Sequence, residues 1–251
     1  MTQRQVFVVG AARTAIGSFG GSLKDLPLTE LATVVVREAI GRAGIEPALV
    51  GHVVMGNVVP TEPQDAYLSR VAAIDAGVPQ ETPAFNVNRL CGSALQAIVS
   101  AAQSILLGDT DIAIGAGAES MSRGPFIMSN LRWGARLGNT EAVDYMNGIL
   151  HDPWKRMHMG VTAENVAVRY GIDRDAQDAL AVESQRRAAL AISKGYFDEQ
   201  IVPVELKTRK GTSHFSRDEN VRAGVTVEQL SAMKPVFVRD NGTVTAGNAS
   251  S

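Results

Sequence analysis

The chain has almost no cysteine. One thiol, Cys91, occurs in 251 residues. An intrachain disulfide is excluded, and the composition fits a reducing compartment, the cytoplasm. Charge of one sign is also lacking. The 24 basic and 26 acidic side chains leave a formal net charge of −2. No strong field recruits nucleic acid or an anionic membrane, and neither partner is expected. At the start of the chain the apolar stretch from Val6 breaks at Gly10. That is too short for a membrane helix, and no cleavage site of small residues follows it. The last residues, GNASS, match no targeting address. There is no internal repeat, low-complexity tract or long run of like charge.

What is present is ordinary for a soluble globular protein, with 45% hydrophobic and 20% charged residues. Strand and helix patterns alternate over residues 5–118. β-Branched runs predict strands at 6–12, 52–58, 83–88 and 111–119. Helical spacing of Leu31, Val34, Val35 and Ala39 predicts a helix at 28–44, with Gly44 as its stop. Further helices are predicted at 65–78 and 92–107. The alternation implies an α/β layer with a mainly parallel sheet. The helix at 92–107 is apolar on nearly every face, which predicts a buried helix, between sheets or against a partner subunit.

The character changes after about Glu119. Residues 120–160 mix Met, Trp, Arg, Gly and Pro without a sustained period, which reads as a long irregular excursion with short helices. Loops of that length are usually functional. Two polar helices follow, with Thr162 and Asp173 as N-caps and Gly195 as the second stop. A strand is predicted at 201–206, ahead of a charged segment. The chain divides on this reading into an α/β domain, 1–119, and an irregular loop domain, 120–251.

Cys91 stands where the strand at 83–88 meets the helix at 92–107, in the stretch NVNRLCGSALQA. A lone cysteine is commonly an inert core residue. The start of a helix, however, offers free N–H groups and the positive end of the dipole, which favour a thiolate. Gly92, Ser93 and Ala94 are small and leave room for a substrate carbonyl. A neighbouring backbone N–H could then hold a developing oxyanion. The residues alone leave core thiol and nucleophile both open.

Five segments resemble the thiolases, in family order. They are GAARTAIGSFGGSLKD near the start, NRLCGSALQA around Cys91, GAGAESMSRGP at 115–125, HMGVTAENVA at 158–167 and GTVTAGNAS at 242–250. The resemblance implies a thiolase-like layered α/β fold with its CoA-binding loop domain. It implies that Cys91 accepts an acyl group as a thioester. A second acyl-CoA then attacks to form a carbon–carbon bond, or CoA cleaves a 3-ketoacyl-CoA in reverse. A thiolate suits this because it attacks and leaves well.

Coenzyme A is implied as part of the substrate, with no permanently bound cofactor and no metal. By motif position His158, Met159 and Leu150 would line the pantetheine path. Arg222 would meet the nucleotide, and Ala246 and Ser250 the pantetheine again. The apolar run at 124–138 falls where tetrameric thiolases carry an assembly loop, although a lining or core role fits it as well. A homodimer or homotetramer of the full-length form is implied.

The family's Asn-Glu-Ala-Phe, Gly-His-Pro and Cys-x-Gly-Gly-Gly motifs, which supply its acid–base groups, do not occur in this sequence. The expectation is an N-terminal portion of a thiolase, without the C-terminal half and inactive alone. A silent CoA-binding module and a related condensing enzyme such as a ketoacyl synthase are the alternatives. The segments at 158–167 and 245–250 favour thiolase, because they belong to its loop domain.

Overall fold

The computed structural model describes residues 4–209 and 211–250. Helix α1 (Leu28–Ala43) and strand β1 (His52–Gly56) lead into α2 (Leu68–Asp75), β2 (Ala84–Val87), α3 (Ser93–Leu107) and β3 (Ala113–Gly117). The short strands β4 (Phe126–Ile127) and β5 (Val143–Asp144) precede the helices α4 (Tyr145–Ile149), α5 (Met159–Tyr170) and α6 (Arg174–Ser193). Strands β6 (Val204–Thr208) and β7 (Gly211–Phe215) and helix α7 (Val227–Ser231) complete the order. Two compact units result. One is Met1–Pro125 with Glu199–Glu219, the other Phe126–Asp198 with Asn220–Ser251. The division read from the sequence, at 119/120, leaves the returning segment 199–219 with the second part.

In the first unit β1 lies at the centre of a parallel sheet ordered β2-β1-β3. Alternate residues of a strand face opposite sides of its sheet. Val53 and Met55 accordingly pack with Leu28, Val36, Ile40 and Leu68 from α1 and α2. Val54 packs on the other side with Ala97 and Ala101 of α3. Each fully buried aliphatic side chain of this kind contributes about 1.5–3 kcal/mol. Helix α3 sits close to the sheet because two strand positions lack a side chain. A methyl group at Gly56 would run into the backbone of Ser93 and Ala94, and one at Gly115 into the backbone of Ile98.

Helix α3, expected to be buried between sheets or against a partner subunit, meets the protein on one face in this chain. Only Ser93, Ala97 and Ala101 are buried, while Leu95 and Leu107 are 67% and 79% exposed. The sheet covers one face of the helix and the other apolar faces remain open. By length and composition residues 90–107 would also suffice to cross a membrane. The backbone seat on β1 and β3 is that of a layer helix. Residues 6–12, expected as a strand, form none. Phe7, Val8 and Val9 are exposed, and the nearest pairing is a parallel bridge from Arg13 to Ile201.

Strands β6 and β7 form an antiparallel hairpin; β6 overlaps the strand expected at 201–206, and β7 lies in the segment expected only to be charged. Val204 and Phe215 bury against Ala15 and Leu31 in a second small core. The Arg13 guanidinium donates to both Asp218 carboxylate oxygens, at 2.8 and 3.1 Å, and the Ile16 N–H donates to one of them at 2.8 Å.

In the second unit the N-cap of α5 is His158, not Thr162. The His158 Nδ1 accepts the Gly160 N–H at 3.0 Å. Thr162 lies one turn inside, where its hydroxyl donates back to the Met159 carbonyl at 2.6 Å. Asp173 caps α6 as expected, accepting the Ala176 N–H. Gly195 follows the helix with φ of +69°, a left-handed conformation glycine adopts freely.

Candidate functional site

Parallel strands place their C-terminal ends on one edge of the sheet, and in open α/β sheets ligands bind at that edge. Here the loops leaving β1, β2 and β3 are tied together there. The Glu119 carboxylate, just past β3, accepts the Asn57 side-chain amide at 3.0 Å and the Val58 and Val59 N–H groups at 2.9 and 3.0 Å. The Asn88 side-chain amide, just past β2, donates to the Val58 carbonyl at 3.4 Å. Surrounding protein pushes the Glu119 carboxyl above its ordinary value, although its outer edge meets solvent. Hydrogen bonds from Val59 and Val58 oppose that rise, and the Asp65 charge adds to it.

Cys91 occupies the loop after β2 and is exposed. Two turns overlap on it. The Gly92 N–H donates to the Arg89 carbonyl at 3.1 Å and the Ser93 N–H to the Leu90 carbonyl at 2.9 Å. Leu90 takes a positive φ of 49°. Helix α3 begins two residues beyond Cys91, after Gly92 as N-cap. The thiol thus stands at the positive end of a 15-residue helix. The idea of an oxyanion donor at the next residues is narrowed, since the N–H groups of Gly92 and Ser93 already close the turns.

The other predicted residues lie in the second unit. Leu150, His158 and Met159 come together. The Met159 N–H donates to the Leu150 carbonyl at 2.8 Å, and His151 and His158 form a bridge with rings 5.0 Å apart, edge to face. The His158 ring stacks on Phe237 with centroids 4.6 Å apart. A side chain at Gly160 would overlap that phenylalanine ring. Because Nδ1 accepts a backbone N–H, His158 is neutral with its proton on Nε2. Burial first, and then the nearby His151, hold it below its ordinary value.

Ala246 and Ser250 are exposed on a turn-rich segment. Its anchors went unnoticed in the sequence. Glu164 accepts from Thr243 and Val244. The Asn248 side-chain amide donates to the buried Asp178 carboxylate and to the Thr243 carbonyl, each at 2.9 Å. Arg222 is exposed, and its backbone N–H donates to the Gln185 side chain at 2.8 Å. Neither Phe237 nor Glu164 had a local signal in the sequence, because the partners His158 and Thr243 each lie 79 residues away.

Residues 6–251 match the family model described as the thiolase N-terminal domain. The beta-ketothiolase BktB of Cupriavidus necator is 61% identical over 247 residues, which cover 98% of this chain and 63% of that protein. An acetyl-CoA acetyltransferase of the same organism is 47% identical, over 98% of this chain and 62% of that protein. Among solved structures, the Bacillus anthracis acetyl-CoA acetyltransferase superposes with a TM-score of 0.93 at 42% identity, over 97% of this chain and 61% of that one. Human mitochondrial 3-ketoacyl-CoA thiolase in complex with CoA gives 0.92 at 39% identity, over 97% and 61%. The chain therefore spans about three fifths of the length of the relatives it matches.

Proposed function

Because this chain belongs to the thiolase family, we propose that it carries the acyl-accepting half of a CoA-dependent C-acyltransferase. Cys91 is its nucleophile. The Sγ thiolate attacks the carbonyl of an acyl-CoA, a new sulfur–carbon bond forms, and CoA leaves as a thiolate that takes up a proton. The α-carbon of a second acyl-CoA gives up a proton to a general base and attacks the acyl-enzyme; a carbon–carbon bond forms, the Cys91 sulfur–acyl bond breaks with Cys91 leaving as a thiolate, and a 3-ketoacyl-CoA results. In reverse, the CoA thiol cleaves that product. The relatives named as acetyltransferases and ketothiolases support acetyl-CoA and 3-ketoacyl-CoA as the substrate class.

One observation carries the reading. Cys91 is exposed, in a tight turn at the sheet edge, at the N-terminus of an apolar helix. For the second unit we propose that Leu150, His158, Met159, Ala246 and Ser250 line the pantetheine path and that Arg222 meets the nucleotide phosphates. The stacked His158 and the left-open surfaces of Met159 and Ser250 support this. The exposed Phe126, Leu131 and Trp133 support self-assembly through residues 124–138, and the single cysteine supports the cytoplasm as compartment.

The experiment is to incubate the protein with acetyl-CoA and map the product by peptide mass. A thioester on Cys91, lost in Cys91→Ser, is the expected result. Stoichiometric CoA binding with no acyl transfer would leave a silent CoA-binding module instead.

A further inference from the structure

We infer that Ser93 is a positioning residue for the acyl-transfer nucleophile, acting through the Leu90 turn and not by touching substrate. The inference rests on Cys91 being the acyl carrier. It starts from a conformation that needs explaining. Leu90, the residue before the thiol, has a φ of 49°, where non-glycine residues are uncommon and strained. Leu90 is 59% exposed, so burial of its side chain does little to hold it there.

Hydrogen bonds do. The Ser93 hydroxyl accepts the Arg89 N–H at 2.8 Å and donates to the Leu90 carbonyl at 2.6 Å. One oxygen thus straddles the strained residue, gripping the backbone on both sides of it. The Asn88 side chain adds a third point, accepting the Leu90 N–H at 3.0 Å. Ser93 itself is 4% exposed and is seated where Gly56 lets the helix backbone meet the sheet. It is the fixed end of the clamp, and the exposed turn is the end that is held.

The consequence is directional. Cys91 is a central residue of both overlapping turns, so the peptide plane between Leu90 and Cys91 sets where Sγ points. If Leu90 relaxed to an ordinary negative φ, that plane would rotate and the thiol would swing off its line of attack. Displacement of about 1 Å at a reacting atom can cost about 10²-fold in rate. Alanine at 93 removes the donor and the acceptor together, and leaves the Arg89 N–H without its partner.

The test uses the full-length protein as its gene encodes it, with three variants: Ser93→Ala, Leu90→Asn, and the two combined. Asparagine adopts the left-handed region far more readily than leucine, and position 90 is exposed enough to accept it. Three rates are read: acetylation of Cys91 by acetyl-CoA, alkylation of Cys91 by iodoacetamide, and amide exchange at Arg89. Ser93→Ala is expected to slow acetylation at least tenfold, to leave alkylation within threefold, and to speed Arg89 exchange at least tenfold. Leu90→Asn in that background is expected to recover part of the acetylation.

Acetylation at the unaltered rate in Ser93→Ala, or a loss that asparagine at 90 does not repair, overturns the inference. If the unaltered protein takes no acetyl group, the acyl-transfer reading fails by itself. Arg89 exchange still reports whether Ser93 holds the turn.

Discussion

The carboxylate of Glu164 holds Thr243 at two points, accepting its backbone N–H at 2.9 Å and its hydroxyl at 2.7 Å. The Val244 N–H adds a third bond at 2.9 Å. A buried acid on α5 thereby fixes the start of the segment that presents Ala246 and Ser250. Glu164→Ala leaves two backbone donors unmet and should cost about 3 kcal/mol, read by urea unfolding. Unfolding at the unaltered denaturant midpoint would show that the three bonds contribute nothing.

The same carboxylate gives the second unit an acid limit. Burial is the largest single influence on Glu164 and pushes it upward, but the hydrogen bonds from Val244 and Thr243 outweigh it and hold it below its ordinary 4.5. A group lowered in the folded state lends stability that is complete above 4.5 and is lost as pH falls below that value. Melting temperature should drop in that range, and the drop should be shallower in Glu164→Gln.

A separate loss should begin at milder acidity through His158. Its neutral ring accepts the Gly160 N–H, and protonation would replace that acceptor with a donor beside His151. The folded protein favours the neutral form, so this contribution is complete above about 6.5 and declines as pH falls below it. CoA affinity measured by calorimetry between pH 7 and pH 5 should fall, and His151→Gln, which removes one cause of the lowering, should move the decline to higher pH. A flat affinity across that range would count against the histidine pair.

Phe237 should matter to CoA although it bears no polar group. It supports the His158 ring by stacking, and Gly160 leaves the space it fills. Phe237→Ala and Gly160→Ala should each weaken CoA binding about tenfold, and the double variant little more, because both remove one support. Additive losses would mean that the two residues act separately.

In the first unit, Asp218→Asn should loosen the segment at 13–16. The Arg13 hydrogen bond is the main reason the Asp218 carboxyl lies below its ordinary value; burial opposes it and the Ile16 N–H assists. Losing the charge of this partly buried pair should cost about 2 kcal/mol. Faster amide exchange at Ile16 is the direct readout.

Much of this was legible from local pattern. The spacing in α1, the stops at Gly44 and Gly195, the cap at Asp173 and the junction at Cys91 each follow from residues within one or two turns of each other. Three features were not. The N-cap of α5 went to His158 because an imidazole nitrogen took the role expected of Thr162, whose hydroxyl found a carbonyl inside the helix. Residues 6–12 have strand composition, but a strand needs a neighbour, and composition does not supply one. The left-handed Leu90 carries no glycine or asparagine to announce it, and is imposed by the hydroxyl three positions later.

The small core of Ala15, Leu31, Val204 and Phe215 has a consequence in time. Its seal is the bond from Arg13 to Asp218, whose partners are 205 residues apart in sequence. During synthesis the early part of this core must wait, uncovered, while most of the other unit leaves the ribosome. Contacts of such separation form slowly, because the long loop must close before they reward it. The unit that begins the chain is therefore completed only after residues 126–198 of the other have been made. In a nascent chain paused anywhere before Phe215, Leu31 and Ala15 would be the surface for a chaperone to shield.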